Sequence, residues 1–131
     1  MHALTFSRFG GSEVLEWTAL PDPQPSPGAA VVRTQAIGLN FADIYRRQGR
    51  YHLAGSPPWI AGYEAAGVVA AVHPQDAGGA FAVGRRVAFA DSAFANAELV
   101  AVPLERLIAL PDDIDAQTAA DAEGASKLVG E

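Results

Sequence analysis

Residues 40–51 carry the polar and aromatic side chains best suited to binding a ligand. An amide, a carboxylate, guanidinium groups and phenols lie within these twelve positions: Asn40, Asp43, Tyr45, Arg46, Arg47 and Tyr51. Asn40 and Tyr51 can donate hydrogen bonds, and aromatic faces can hold a flat ligand. A second polar group, Tyr63 and Glu64, follows shortly after. One interpretation of the pattern is a small-molecule pocket lined by these residues.

A simpler interpretation of the same residues is an ordinary amphipathic helix. Asp43, Arg46 and Arg47 would then face water, and Glu64 would be a structural ion-pair partner. The spacing alone favours this helix and leaves the pocket open as the alternative.

Several other chemistries have little support in the sequence. The chain has no Cys, which excludes thiolate zinc ligands and Cys nucleophiles. His2, His52 and His73 are widely separated, so no metal site is predicted. G-x-S-x-G, G-x-G-x-x-G and G-x-x-x-x-G-K-[ST] are all absent, which leaves no nucleophile elbow and no loop for a cofactor's phosphates.

Charge and hydropathy exclude two classes of partner. Lys+Arg number 9 against 15 Asp+Glu, so the net charge of −6 gives no basic surface for nucleic acid. No apolar run approaches the roughly 20 residues that cross a bilayer. The N-terminus has no basic segment followed by an apolar one, unlike a signal peptide. We expect a cytoplasmic protein without nucleic-acid or membrane partners.

Short strands must position the polar residues at 40–51 and 63–64. Alternating or β-branched apolar residues predict strands near residues 3–6, 14–17, 29–39, 64–72, 86–89, 97–102 and 107–110. The proline-rich stretch 21–28 is predicted to be an extended surface connection. Asn40 can cap a short helix that Gly49 ends, and Asp115 can cap another. The sequence predicts a mainly β fold with short helices, most simply a barrel.

Five ordered blocks of the sequence are similar to the motifs of one enzyme family. They are residues 9–15 (F-G-G-S-E-V-L), 38–51 (G-L-N-F-A-D, then R-Q-G-R-Y), 62–69 (G-Y-E-A-A-G-V-V), 83–87 (V-G-R-R-V) and 110–112 (L-P-D). Together they resemble the N-terminal domain of the quinone oxidoreductases, the zeta-crystallin-like branch of the medium-chain dehydrogenases/reductases. Arg85 departs from the family's usual G-D-R-V. The resemblance covers residues 1–119 and implies a GroES-like, partly open β-barrel.

The resemblance also implies an activity and roles for individual residues. Members are NADPH-dependent enzymes that reduce quinones or other conjugated carbonyls. Zinc-dependent relatives carry Cys at the Asn40 position and His at the Tyr63 position, so this chain resembles the zinc-independent branch. By resemblance, Asn40 orients the substrate and contacts the cofactor, and Tyr45 and Tyr51 bind the substrate. Asp43 and Glu64 would hold the local fold.

The length of 131 residues is short for that family, whose members add a Rossmann domain that binds NADPH. We therefore expect this chain alone to bind no NADPH and to be inactive. Surface that the missing domain would cover is expected to favour homo-oligomers. Residues 120–131 are either the family's C-terminal segment, joined after deletion of the cofactor domain, or an unrelated tail after a truncation. The alternative function is a non-catalytic GroES-like binding or self-association module.

Overall fold

The computed structural model describes residues 1–111, 113–116 and 118, and these residues form a pair of antiparallel sheets. The strands are β1 (His2–Phe6), β2 (Glu16–Ala19), β3 (Ala29–Ile37), β4 (Trp59–Ile60), β5 (Ala65–Ala71), β6 (Arg86–Phe89), β7 (Leu99–Pro103) and β8 (Leu107–Ala109). Helix α1 (Phe41–Arg47) follows β3, and short 3-10 turns occupy Ser12–Val14, Pro74–Asp76 and Leu104–Arg106. The small sheet has the order β2-β1-β4, and the large sheet has the order β7-β3-β5-β6-β8.

The long strand β3 bends because its register against β5 shifts twice, between Val31 and Val32 and between Thr34 and Ala36. Gly67 of β5 lies beside this region. A Cβ on Gly67 would stand 2.0 Å from the carbonyl oxygen of Arg33, so the two strands approach each other more closely than any side chain at position 67 allows. The large sheet is curled into a half-barrel, as in a GroES-like domain.

The larger of two apolar clusters among the described residues packs β1 against the large sheet. Its fully buried side chains include Ala3, Val32, Val69, Val87, Phe89, Val100 and Val102. An isolated bridge between Ala3 and Ala97 joins β1 to the loop before β7. This packing holds β1 against the large sheet. Other residues of β1 border the candidate site.

The predicted mainly β fold with short helices is confirmed, and so is the partly open barrel. The second strand begins later than predicted, at Glu16, because Glu13 folds back to accept a hydrogen bond from the Gly11 N–H at 3.1 Å. The short β4 was missed, since its two residues follow two prolines and pair only through β1.

The C-terminal end of the chain is described only in places. The Thr118 N–H donates to Asp115 Oδ1 at 2.7 Å, as expected for the predicted cap at Asp115. Both hypotheses about residues 120–131 lie outside the described residues. In the described ranges, no helix is long and apolar enough to cross a membrane.

Candidate functional site

A cavity of about 680 Å³ opens between β1, the end of β3 and α1. Its volume is in the range of small-molecule sites. Its walls are mainly apolar, with a few polar groups: Leu4, Phe6, Leu15, Ile37, Leu39, Asn40, Phe41, Asp43, Ile44, Arg47, Ala61 and Asn96. The arrangement suits a ligand with an apolar body and a small number of hydrogen-bonding atoms.

Asn40 is placed at the cavity by the junction between β3 and α1. It is the N-cap residue, with an extended backbone. Its N–H donates to Asp43 Oδ2 at 3.0 Å, and the Asp43 N–H donates to the Asn40 carbonyl at 3.0 Å. Asn40 and Asp43 thus form a capping box, in which the Asn40 side chain accepts from the Asp43 N–H. The Asn40 amide nitrogen is available for another partner.

That partner is Glu64, which lies directly before β5. Asn40 Nδ2 donates to Glu64 Oε2 at 3.2 Å, and the Glu64 side chain is buried. The Gly38 N–H donates to the Glu64 carbonyl at 2.9 Å, which holds the start of β5 near the end of β3. An amide nitrogen carries two hydrogens, so Asn40 keeps a second N–H to offer to a ligand.

Arg46 connects α1 to the loop that follows it. The guanidinium carbon lies 3.5 Å from the ring centroid of Tyr63 and 4.9 Å from that of Tyr51. Arg46 Nη1 donates to Asp43 Oδ1 at 3.1 Å, and Arg46 Nε donates to the His52 carbonyl at 3.3 Å. The side chain is thus paired, covered by rings and only 7% exposed as a residue.

The interpretation in which α1 turns its charged residues to water is therefore wrong for Asp43 and Arg46. Pairing with each other neutralises both charges, which allows them to be buried. Arg47 is half-buried, and its Nε donates to the Gly10 carbonyl at 3.3 Å. Glu64 accepts a hydrogen bond from Asn40.

The structure does not bring the other predicted site residues into the cavity wall. Tyr45 and Tyr51 are about half exposed and do not line the cavity. The Tyr51 ring packs on His52, with centroids 4.7 Å apart. Asn40 does line the cavity. The substrate-binding roles of both tyrosines and the orienting role of Asn40 stay predictions.

Sequence reasoning missed Asn96. It lies in the loop before β7, is buried and lines the cavity with Asn40. The available signal was its position as a single amide within the apolar run 93–97 (A-F-A-N-A). Its closeness to Asn40 depends on tertiary pairing and has no mark in the local pattern.

Two features of the described residues bear on the binding of metals and phosphates. Among them, no group of three His, Cys, Asp or Glu side chains could hold a metal ion. The free N–H groups at a helix N-terminus can bind phosphates. At the start of α1 the Asp43 carboxylate accepts a hydrogen bond from the Asn40 N–H, and its negative charge would repel a phosphate there.

Three comparisons place this geometry among known proteins. The model of the alcohol dehydrogenase GroES-like domain matches residues 26–112. The quinone oxidoreductase of Pseudomonas aeruginosa is 42% identical over 118 residues, which are 89% of this chain and 35% of that protein.

Two solved structures agree with that match. The quinone oxidoreductase of Pseudomonas syringae pv. tomato is 40% identical with a TM-score of 0.83, over 91% of this chain and 36% of that one. The Escherichia coli quinone oxidoreductase, solved in complex with NADPH, is 31% identical with a TM-score of 0.84, over 92% of this chain and 36% of that one. The chain thus spans about a third of the length of these relatives. It belongs to the alcohol dehydrogenase GroES-like domain family, and these relatives are quinone oxidoreductases of the medium-chain dehydrogenase/reductase superfamily.

Proposed function

We propose that this domain is the substrate-binding part of a zinc-independent, NADPH-dependent quinone oxidoreductase. The observation that carries the proposal is the Asn40 carboxamide, held by Glu64 at 3.2 Å in the wall of an apolar cavity. The relatives named quinone oxidoreductases support this function over a non-catalytic binding module.

Each part of the cavity has a task in such a reaction. Apolar walls such as Phe6, Ile37 and Ile44 bind the ring of a quinone and exclude water. The second N–H of Asn40 donates to a carbonyl oxygen, which gains negative charge as the ring is reduced. NADPH supplies the hydride to the ring when it is bound. Because Asn40 is neutral and Glu64 fixes its orientation, the donor is already aligned before the substrate arrives.

The proposal is tested by titrating the isotope-labelled chain with 1,4-naphthoquinone and following the amide signals by NMR. The absence of Cys removes thiol adducts, the usual complication with quinones. We expect saturable shifts at the Asn40 side-chain amide. Asn40→Ala should weaken binding by about 5- to 10-fold, the equivalent of one hydrogen bond.

The matched control is Gln75→Ala, which removes an exposed amide outside the cavity lining. Binding in this control should equal that of the unchanged chain. Quinone shifts that do not saturate, or that avoid the cavity, would contradict the proposal.

We further propose that this chain alone does not turn over NADPH. The Asp43 carboxylate at the start of α1 supports this, since it opposes phosphate binding, as does the absence of a glycine-rich phosphate loop. The measurement is NADPH oxidation at 340 nm with 1,4-naphthoquinone as acceptor. Turnover above the uncatalysed rate would contradict this part of the proposal.

Self-association is supported by apolar side chains at the cavity mouth. Leu39 is 75% exposed and Phe41 is 79% exposed, and exposed apolar surface favours association. Size-exclusion chromatography at several concentrations should show a shift toward larger species, and Leu39→Ser should reduce that shift. An elution volume independent of concentration would argue against self-association. The cytoplasmic location stays a prediction.

A further inference from the structure

A smaller cavity of about 390 Å³ adjoins the larger one, and Leu4, Ile37 and Asn96 line both. The other walls of the smaller cavity come from β2, from β3 and from the residues at the start of β7: Trp17, Arg33, Thr34, Ala97 and Glu98. These five residues do not line the larger cavity. The smaller cavity therefore has a chemical surface of its own.

Trp17 and Arg33 hold fixed positions in this surface because both belong to paired strands. Trp17 is the register partner of Leu4 in the β1–β2 pair, so the two side chains lie on the same face of the small sheet. Arg33 lies within β3, where it pairs with Val68 of β5 on one side and with Leu99 of β7 on the other. A site built on strands is positioned more precisely than one built on loops.

The Trp17 ring has a surface that a ligand can reach. The His2 ring stacks with the indole, with centroids 5.8 Å apart and planes inclined by 12°. Trp17 nevertheless stays 61% exposed. A flat aromatic ligand can therefore pack on the indole in the smaller cavity.

The side-chain oxygens around the smaller cavity are engaged or turned away from it. The Glu98 carboxylate accepts from the His2 backbone N–H and lies 3.3 Å from His2 Nδ1. The Thr34 hydroxyl donates to a backbone carbonyl. Asn96 Oδ1 packs against Gly62, which lines neither cavity.

The polar groups left for a ligand are donors. The Arg33 guanidinium presents several N–H groups in a planar fork that matches a carboxylate. In the described ranges its side chain makes no hydrogen bond or ion pair, and the Trp17 indole N–H has no acceptor among the same residues. A ligand that complements this surface has a flat ring and a negatively charged acceptor.

We propose that the smaller cavity binds planar aromatic carboxylates and is a site separate from the proposed quinone site. The ring of the ligand packs on Trp17, and its carboxylate accepts hydrogen bonds from Arg33. The chain has a net charge of −6, which opposes anions in general. A preference for a carboxylate must therefore come from Arg33.

The test uses three probes with the same two-ring frame, followed by NMR on the isotope-labelled chain. At pH 7, 2-naphthoate is an anion, 2-naphthamide is neutral and 2-naphthylmethylamine is a cation. We expect 2-naphthoate to shift the Trp17 indole N–H and Arg33 Nε–H signals saturably and to bind about 10-fold more tightly than the amide. Equal affinity for the anion and the amide would overturn the proposal. A preference for the cation would also overturn it, since the Glu98 charge would then govern the site.

Arg33→Met keeps a long side chain and removes the charge and the donors. It should weaken 2-naphthoate binding about 10-fold and leave 2-naphthamide binding within twofold of the unchanged chain. Arg85→Met is the matched control, because Arg85 is exposed, lines neither cavity and carries the same charge. Equal 2-naphthoate affinity in these two variants would overturn the proposal. Trp17→Leu should weaken the binding of both probes, because it removes the aromatic surface.

The signals of the unchanged chain also separate the two cavities, whatever the stability of the variants. Trp17 and Arg33 line only the smaller cavity, and Asn40 lines only the larger one. With 2-naphthoate, we expect the Trp17 and Arg33 signals to move at lower concentrations than the Asn40 side-chain amide. Naphthoate shifts at Asn40 without shifts at Trp17 and Arg33 would overturn the proposal.

Discussion

Asn40 Nδ2 donates to Glu64 Oε2 at 3.2 Å, so an amide at the start of α1 is oriented by a buried carboxylate directly before β5. The contact joins two segments that are 24 residues apart in sequence. Asn40 and Asp43 also form the capping box of α1, so the Asn40 side chain contributes both to the helix start and to the site. Its removal and its replacement by a charge should therefore have different effects.

Asn40→Asp places a second carboxylate beside Glu64, and one of the two must then bind a proton or bear the repulsion. Two like charges in contact raise the pKa of the pair. A raised carboxyl pKa in the folded state costs stability at high pH, and that cost disappears as the pH falls through the raised value. We expect a loss of about 2 kcal/mol at pH 8 that shrinks toward pH 5.

Urea denaturation at several pH values measures this difference. Asn40→Ala is the control, because it removes the amide without adding charge, so its loss should change less with pH than that of Asn40→Asp. An Asn40→Asp variant whose deficit does not depend on pH would show that the Glu64 carboxylate does not face position 40 in solution.

The Asp43–Arg46 ion pair is the second testable contact. Its nitrogen and oxygen lie 3.1 Å apart, and both side chains are largely buried. Removing one partner leaves a buried charge unpaired, so Arg46→Met should cost about 3 kcal/mol of unfolding free energy. A double-mutant cycle with Asp43→Asn should show that much of this loss is shared.

An ion pair on the protein surface is the control for the Asp43–Arg46 pair. Arg106 and Asp91 are 3.0 Å apart, but both are well exposed, so Arg106→Met should cost less than about 1 kcal/mol. Equal losses at the two pairs would contradict the burial of Arg46 between Tyr51 and Tyr63.

Gly67→Ala tests the close approach of β5 to β3. The new Cβ would stand 2.0 Å from the Arg33 carbonyl oxygen, which belongs to the backbone and cannot turn away. We expect a loss of about 3 kcal/mol from this overpacking. Gly78→Ala is the control, since a Cβ there meets nothing within 4 Å. Chemical denaturation of the two variants should differ clearly, and similar midpoints would contradict the bend.

The features of this fold that sequence could predict are those set by local chemistry. β-Branched and alanine-rich runs marked β3 and β5, and Asn40 and Gly49 marked the ends of α1, where Gly49 takes a φ of +78°. The burial of Arg46 could not be predicted, because it depends on the rings of Tyr51 and Tyr63, which come later in the sequence. The position of Asn96 could not be predicted either, because its partners Ala61 and Leu4 are distant from it in sequence. Local pattern identified the polar cluster, and only tertiary pairing decided which of its members meet at the cavity.

Glu98 links the smaller cavity to the start of the chain and should make stability depend on pH. Its carboxylate accepts a hydrogen bond from the His2 backbone N–H, which holds the pKa of Glu98 below its ordinary value, and the His2 ring adds to the effect. A carboxyl group with a lowered folded-state pKa stabilises the fold above its unfolded pKa, and that contribution is lost as the pH falls through the lowered value. The unchanged chain should therefore lose stability in acid over this window, while Glu98→Gln should start less stable at pH 7 and change less as the pH falls.

Thermal melts from pH 7 to pH 3 provide the measurement, with Glu105→Gln as a control that removes an exposed negative charge elsewhere. If the melting temperatures of Glu98→Gln and Glu105→Gln followed the same curve, the His2 contacts would make no contribution in solution, because the two variants carry the same net charge and only Glu98→Gln loses the contacts with His2.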